Sequence, residues 1–196
     1  TLDMAFFRLV PNLVIMAPKD FKELEDMLEF AVKLKKPVVI RYPRGGEDSE
    51  IKFEKRDKIE LGKAEILKCL DEKEFVSSEE EIGTVQNDLN SGKFVTIIAI
   101  GKMVARAMKI AKNLKKDSGI NAEVINARFL KPFDDVKILE SIKKTKNVIT
   151  IEDGTKINGL STTVKELIVD NNLNGISFKS YAYPDEFITH GSVDEL

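Results

Sequence analysis

The feature that most constrains the fold is a strand, a helix and a second strand in immediate succession near the start of the chain. Residues 13–17 are continuously apolar, and residues 38–42 form a second β-rich run. Between them Asp20 and Glu23 make a helix-capping pair, after which apolar residues recur every three or four positions. The short connections predict a βαβ unit with parallel strands. Because neither strand alternates polar with apolar residues, we expect both to be buried.

The same alternation of strand and helix resumes later in the chain. We predict strands at 94–100, 121–126, 148–151 and 176–181, and helices at 102–116, 133–144 and 160–171. Asp134 or Asp135 caps the second of these helices, residues 62–70 could add a strand, and residues 192–196 resemble the start of another helix. The alternation predicts an α/β domain with four or five strands.

These patterns divide the chain into two units. Residues 1–46 hold the βαβ unit, which is too small for a core of its own, and residues 61–196 hold the larger α/β domain. We interpret residues 47–60 as a linker, because their charges alternate and their apolar residues are few. Residues 69–93 interrupt the larger domain with clustered acidic residues and low hydrophobicity. That composition predicts an exposed, disordered insertion.

Composition excludes several classes of protein. The 196 residues carry 31 basic and 33 acidic side chains, and this balance predicts neither a nucleic-acid nor a membrane partner. A single cysteine, Cys69, and a single histidine, His190, exclude an intramolecular disulfide and the usual zinc site. We assign Cys69 no role and interpret His190 as structural. The chain opens with Thr1 rather than Met, which suggests a piece of a longer protein.

Two arginines form the most specific candidate for an anion-binding site. Arg41 and Arg44 lie at the carboxyl end of the second predicted strand, in the sequence RYPRG. Ligands of open α/β sheets lie outside that edge, where a guanidinium can bind a phosphate or carboxylate in bidentate fashion. From the spacing of the residues alone, anion binding and a proline turn with two solvated arginines are about equally favoured.

Two weaker candidates also follow predicted strands. Gly101 and Lys102 open a helix and could bind an anion, but a tight turn with a solvated lysine is the preferred interpretation. Glu152 and Asp153 could form an acid–base pair. No second base or metal-ligand set accompanies them in the sequence, so we favour a turn aspartate and a helix-capping role.

Six sequence blocks resemble one family, the 1-deoxy-D-xylulose-5-phosphate synthases. The blocks are DMAFFR at 3–8, PNLVIMAPKD at 11–20, RYPRG at 41–45, LGKA at 61–64, RFLKPFD at 128–134 and PDEFITHGS at 184–192. They occur in the family's order and leave only the acidic stretch 69–93 without a counterpart. The resemblance implies the end of a transketolase-type pyrimidine-binding domain at 1–46 and a transketolase-type C-terminal domain at 61–196.

The resemblance also implies an activity for the full-length protein. The family condenses pyruvate with D-glyceraldehyde 3-phosphate, releases carbon dioxide, uses thiamine diphosphate and Mg²⁺, and forms homodimers. In this family the second arginine of RYPRG helps to hold the aldehyde's phosphate, and that position is Arg44. The family's catalytic, cofactor-binding and metal-binding residues correspond to no position of this chain, so the isolated chain is expected to be inactive.

Two alternatives to this function stay open at the level of sequence. One is the tail domain of a transketolase or of a 2-oxoacid dehydrogenase β subunit, and the other is a non-catalytic α/β association module. The lysine-rich composition and the acidic, asparagine-containing insertion resemble proteins of apicomplexan parasites. That likeness favours a plastid location, the apicoplast, whereas a bacterial source would imply the cytoplasm.

Overall fold

The computed structural model describes residues 2–43, 45–53, 56–68 and 93–186. The predictions made for Arg44, Cys69, His190 and nearly all of the acidic insertion concern residues outside this part of the chain. The helix expected at 192–196 also lies outside it.

The described residues form eight strands and five helices. The strands are β1 (Val14–Met16), β2 (Val38–Ile40), β3 (Glu65–Lys68), β4 (Phe94–Ala99), β5 (Asn121–Asn126), β6 (Phe129–Lys131), β7 (Asn147–Thr155) and β8 (Ser177–Tyr183). The helices are α1 (Asp3–Phe7), α2 (Phe21–Leu34), α3 (Met103–Ser118), α4 (Asp135–Thr145) and α5 (Leu160–Asp170). The expected α/β fold class is confirmed.

A small mixed sheet has the strand order β2-β1-β6. As predicted, β1 and β2 are parallel, with Val14 opposite Val38. All of β1 is buried, but β2 is only half-buried, so the expectation of two buried strands is wrong for β2. The reason is that β2 forms an edge of this sheet. The third strand, β6, is antiparallel to β1 and was not predicted, because its three residues are too few to show a periodicity.

A larger sheet has the strand order β3-β5-β4-β7-β8. The strands β5, β4, β7 and β8 are parallel to one another, and β3 pairs with β5 in the antiparallel direction. The central strand β4 is buried along its whole length. Apolar side chains from α4 and α5 pack on one face, and those from α3 pack on the other. The five strands agree with the predicted number.

Helix ends agree with the sequence pattern in two places. The Asp20 side chain accepts a hydrogen bond from the backbone N–H of Glu23 at 2.7 Å and so caps α2. Asp134, rather than Asp135, is the cap residue of α4. The Glu23 side chain does not return to Asp20 as in a usual capping box. It accepts from the backbone N–H of Lys19 instead, at 2.7 Å.

The two units pack together through shared apolar clusters. The β6 residue Phe129 lies in one cluster with Val14, Met16 and Met27 of the first unit. Ile59, from the stretch interpreted as a linker, is buried in the same cluster. The strand β6 therefore completes a sheet that the first unit begins, and the described part of 47–60 is packed against both units. No helix among the described residues is long and apolar enough to cross a membrane.

Candidate functional site

The candidate site lies where β2 ends. The Arg41 N–H donates to the carbonyl oxygen of Met16 at 2.8 Å, which continues the β1–β2 pairing by one residue. Beyond it the chain turns away: Tyr42 is 64% exposed, and Gly45 has a φ of +92°, a conformation that favours glycine. We name residues 41–46 the β2 loop. Its Arg44 lies outside the described residues, so the position of that side chain stays a prediction.

A cleft of about 60 Å³ adjoins the β2 loop. Its walls come from the start of α2, the loop itself and the start of α3. The lining includes Pro18, Asp20, Phe21, Tyr42, Gly46 and Lys102. This place corresponds to the edge at which parallel strands end, where α/β proteins bind ligands.

Arg41 is committed to carboxylates of other segments. Its Nη2 atom lies 3.0 Å from Oδ2 of Asp153, which belongs to β7 of the large sheet. Lys102, just before α3, places its Nζ 3.2 Å from the same oxygen. We name Arg41, Lys102 and Asp153 the rim cluster. The Arg41 Nε also lies 3.7 Å from Oδ2 of Asp3, so two carboxylates face the two cations.

The electrostatics of the rim cluster keep Asp153 ionised. Burial by itself would raise the pKa of Asp153, but Arg41 and Lys102 outweigh it, so the pKa lies below the ordinary value. The nearby Tyr183 has a raised pKa, first because it is partly buried and then because it faces the Asp153 charge. The rim cluster is therefore an ionic contact between the first unit and the large sheet, in which Asp153 is paired with two cations.

These contacts change the interpretation of the sequence candidates. Arg41 is neither a solvated turn residue nor a free anion ligand, because its charge is matched by Asp153 and Asp3. Lys102 follows the tight turn at Gly101 as predicted, but it is not merely solvated, since it pairs with Asp153. Of the two arginines in RYPRG, Arg41 is paired with carboxylates, and the phosphate-binding role of Arg44 stays a prediction.

Glu152 and Asp153 do not form an acid–base pair. The predicted strand end at residue 151 is wrong, because β7 continues to Thr155 and carries both carboxylates. Glu152 accepts from the backbone N–H groups of Leu160 and Ser161 at 2.8 and 2.9 Å, so it caps α5. Burial raises the pKa of Glu152, although both hydrogen bonds oppose the shift. The favoured helix-capping role therefore falls to Glu152.

A second group of charges joins the two units in the interior. Lys19 and Glu23 come from the first unit, and Glu65 and Arg128 come from β3 and the β5–β6 connection. We name these four residues the buried cluster, because each side chain is at most 3% exposed.

The buried cluster is closed by short contacts. Lys19 Nζ lies 3.0 Å from Glu23 Oε1 and 2.6 Å from Glu65 Oε2. Arg128 Nε donates to Glu23 Oε1 at 2.7 Å, and its Nη2 lies 3.0 Å from Glu65 Oε1. Asn126 donates to Glu23 at 3.0 Å, and Arg128 also donates to the carbonyl of Asp57 at 2.9 Å. Two cations thus face two anions, as buried charges require.

Sequence reasoning missed the buried cluster. Lys19 and Glu23 are four positions apart, but Glu65 and Arg128 lie 46 and 105 positions from the residues that they contact, so no local pattern links the two pairs. The one usable signal was the block that begins at Arg128, which was noted only as part of the resemblance. Within the described residues no group of three or more Asp, Glu, His or Cys side chains could hold a metal ion.

Comparison with known proteins identifies the class. The family model "Transketolase, C-terminal domain" matches residues 83–196, and the model "Transketolase, pyrimidine binding domain" matches residues 2–46. The chain belongs to the transketolase family. The first of these models covers the strands β4, β5, β7 and β8 of the large sheet, and β3 precedes the matched residues.

Within that family, several similar curated proteins are 1-deoxy-D-xylulose-5-phosphate synthases. The chain is 39% identical to the 1-deoxy-D-xylulose-5-phosphate synthase of Halothermothrix orenii over 99% of this chain and 27% of the relative. It is 38% identical to the synthase of Alkaliphilus oremlandii, over 100% of this chain and 28% of the relative. The resemblance predicted from the sequence blocks is confirmed. The chain spans about a quarter of the length of these relatives.

Two solved structures are similar in fold. One is described as a split gene transketolase, inactive beta4 tetramer, with a TM-score of 0.72 and 28% identity, over 92% of this chain and 52% of that chain. The other is a transketolase from Campylobacter jejuni, with a TM-score of 0.52 and 17% identity, over 99% of this chain and 25% of that chain. The second likeness concerns the fold alone.

Proposed function

We propose that this chain is the C-terminal part of a 1-deoxy-D-xylulose-5-phosphate synthase. The full-length enzyme would condense pyruvate with D-glyceraldehyde 3-phosphate, release carbon dioxide and so begin isoprenoid synthesis by the methylerythritol phosphate route. One observation carries the proposal: relatives of that name are 34–39% identical to this chain over 96% or more of its length. The likeness includes both units, whereas a shared tail domain alone would cover only the second.

The proposal favours the synthase over other members of the family. The RYPRG block at 41–45 and the PDEFITHGS block at 184–192 are the features that distinguish it from transketolases and from 2-oxoacid dehydrogenase β subunits. A non-catalytic association module describes the second unit taken alone. It does not account for the matched first unit, which carries the β2 loop.

Thiamine diphosphate would serve as the cofactor of the full-length enzyme, where it would supply the electron sink that decarboxylation of pyruvate requires. The resemblance implies that the residues that would hold Mg²⁺ and the diphosphate belong to other segments of the full-length protein. We therefore expect the isolated chain to be inactive, and no catalytic step is assigned to its residues.

Arg44 is proposed as a ligand of the substrate phosphate. Three points support this role: the β2 loop leaves the carboxyl end of a parallel strand, a cleft adjoins it, and the neighbouring Arg41 is already neutralised by carboxylates. A guanidinium can donate two parallel hydrogen bonds to a phosphate, which a lysine cannot do. Substrate affinity, rather than the chemical step, is the property that Arg44 would control.

An activity assay on the full-length protein tests the function. The purified protein, supplied with thiamine diphosphate and Mg²⁺, is incubated with ¹³C-labelled pyruvate and D-glyceraldehyde 3-phosphate. The expected product is 1-deoxy-D-xylulose 5-phosphate with equimolar carbon dioxide. Ketol transfer between sugar phosphates without carbon dioxide would overturn the proposal in favour of a transketolase. Acyl transfer to a lipoyl domain would overturn it in favour of a dehydrogenase subunit.

Assembly and location belong to the same proposal. We infer a homodimer of the full-length enzyme, and analytical ultracentrifugation tests it, with a strict monomer contradicting the inference. We also infer a plastid location, the apicoplast, from the composition described above; the named bacterial relatives correspond to the cytoplasmic alternative. Fluorescent tagging of the full-length protein in its native cell distinguishes the two.

A further inference from the structure

Asp153 contacts the segment that carries the candidate site, although it belongs to a different unit. It lies on β7 of the large sheet, and its side chain is 8% exposed. Arg41 opens the β2 loop, and its side chain is 13% exposed. The 3.0 Å contact between them joins residues 112 positions apart. The second unit therefore contacts the first residue of the β2 loop through an ion pair.

The contact fixes the loop at a defined point. Backbone pairing fixes Arg41 from one side, since its N–H donates to Met16 at 2.8 Å. Asp153 fixes its guanidinium from the other side. Arg41 precedes Arg44 by three residues, so the two Cα atoms are at most about 10 Å apart. A change at Arg41 would therefore act on Arg44 over a short segment in which proline restricts the backbone.

Lys102 also pairs with Asp153, and it forms part of a wall of the cleft. Its Nζ lies 3.2 Å from the oxygen that Arg41 contacts, and its side chain also lines the cleft beside the loop. Asp153 is thus an acceptor that Arg41, at the start of the loop, shares with Lys102, in the cleft wall. Removing its charge would leave Arg41 and Lys102 close together with only Asp3 as a counter-charge.

We propose that Asp153 is a positioning residue, through which the C-terminal unit sets the affinity of the β2 loop for the phosphorylated substrate. This inference rests on the proposed function, because it assigns a role in the same site. It also gives the C-terminal unit a part in substrate binding beyond packing. Asp153 touches no substrate; it acts through Arg41.

The proposal is tested by steady-state kinetics on the full-length enzyme carrying Asp153→Asn. Asparagine keeps the shape and one oxygen but loses the charge. We expect the KM for D-glyceraldehyde 3-phosphate to rise roughly three- to tenfold, because displacing a binding group by about 1 Å is costly. The KM for pyruvate should stay unchanged. A purely structural role would lower the amount of active enzyme and leave both KM values where they were.

A matched control and a second variant keep the test decisive. Glu123→Gln removes a carboxylate from β5 that pairs with Lys144, away from the loop, and should change neither KM. Arg41→Gln removes the same anchor from the other side and should reproduce the KM change of Asp153→Asn. If Asp153→Asn lowers the yield of folded protein, Arg41→Gln carries the test.

A double substitution separates this inference from the proposed function. In an Arg44→Ala background the further change Asp153→Asn should have little effect on the KM for the aldehyde phosphate, because the group being positioned is gone. Independent, multiplicative effects would overturn the positioning role. So would an unchanged KM in Asp153→Asn when Arg44→Ala raises it. A full-length protein that makes no deoxyxylulose phosphate would instead overturn the proposed function.

Discussion

Two ionic clusters join the same two units, and they differ in burial and in position. The buried cluster places Lys19 and Glu23 against Glu65 and Arg128, with every side chain at most 3% exposed. The rim cluster places Arg41 and Lys102 against Asp153, and these side chains are 13%, 33% and 8% exposed. One lies in the interior, and the other lies where β2 ends.

This difference in burial predicts different roles. The buried cluster should mainly affect the stability of the fold, whereas the rim cluster should mainly affect the orientation of the β2 loop. Desolvated charges are costly if one partner is removed, so the buried cluster makes correct docking of the two units a condition of stability. A partly exposed cluster contributes less to stability, because water can replace a lost partner. Its effect is instead on the segment that it anchors, the β2 loop.

The largest expected effect is on the buried cluster. Arg128→Met would leave the carboxylates of Glu23 and Glu65 with only Lys19 as a counter-charge. We expect a loss of about 3–5 kcal/mol in the free energy of unfolding, measured by urea denaturation. As a control, Arg56→Met removes an arginine that is 29% exposed and pairs with Asp20, and should cost under about 1 kcal/mol. Equal losses in the two variants would contradict the distinction.

A pH series sharpens the same comparison. Burial opposes ionisation of Glu65, but Lys19 and Arg128 outweigh it, so the pKa lies below its usual value of 4.5. A depressed carboxyl pKa stabilises the folded state above the unfolded-state pKa, and the stabilisation is lost as the pH falls through the folded-state pKa.

Glu65→Gln should remove that acid-sensitive contribution. We expect about 2–3 kcal/mol less stability than wild type near neutral pH, because a hydrogen-bonded buried charge is lost. The gap should narrow as the pH falls below about 4.5. Urea denaturation from pH 7 to pH 3 measures both quantities. A gap that is constant across this range would contradict the ionic account of Glu65.

Gly159→Ala tests the cap that Glu152 provides for α5. A Cβ at this position would lie 2.2 Å from Oε2 of Glu152 and 2.7 Å from the carbonyl of Thr155. We expect a loss of about 1–3 kcal/mol in the free energy of unfolding, because the α5 cap must shift. Gly46→Ala is the matched control, since its Cβ would meet open space. In thermal melting, Gly159→Ala should have a lower Tm than Gly46→Ala.

The smallest effect is expected for the exposed member of the rim cluster. Lys102→Gln should change the free energy of unfolding by less than about 1 kcal/mol, because its side chain is one-third exposed and Asp153 keeps Arg41. The change should shrink further in high salt. A loss comparable to that of Arg128→Met would show that the two clusters do not differ in the way described.

Local patterns predicted the elements whose causes are local. The apolar run at 13–17, the Asp20 cap and the helical spacing after it were enough to predict β1, α2 and β2. The strand and helix alternation after residue 94 predicted most of the large sheet. In these segments each residue's role depends on neighbours within a few positions.

Features that depend on distant partners were not predicted. The strand β6 forms only because β1 offers an unpaired edge more than a hundred residues earlier in the chain. Charged residues such as Lys19 and Arg128 are ordinarily expected at the surface, and only the packing of two units makes them interior. The ion pair of Arg41 could not be predicted from the sequence, because its partner Asp153 lies 112 positions away.

The central claim, that the β2 loop binds the substrate phosphate, is tested most directly by two acceptors. The full-length enzyme and its Arg44→Ala variant are assayed with D-glyceraldehyde 3-phosphate and with unphosphorylated D-glyceraldehyde. Arg44→Ala should raise the KM for the phosphorylated acceptor about ten- to a hundredfold, since a charge-assisted contact is lost. The KM values for D-glyceraldehyde and pyruvate should not change. Lys33→Ala, which removes a 78% exposed cation, is the control. An equal change for both acceptors, or no change for either, would contradict the claim.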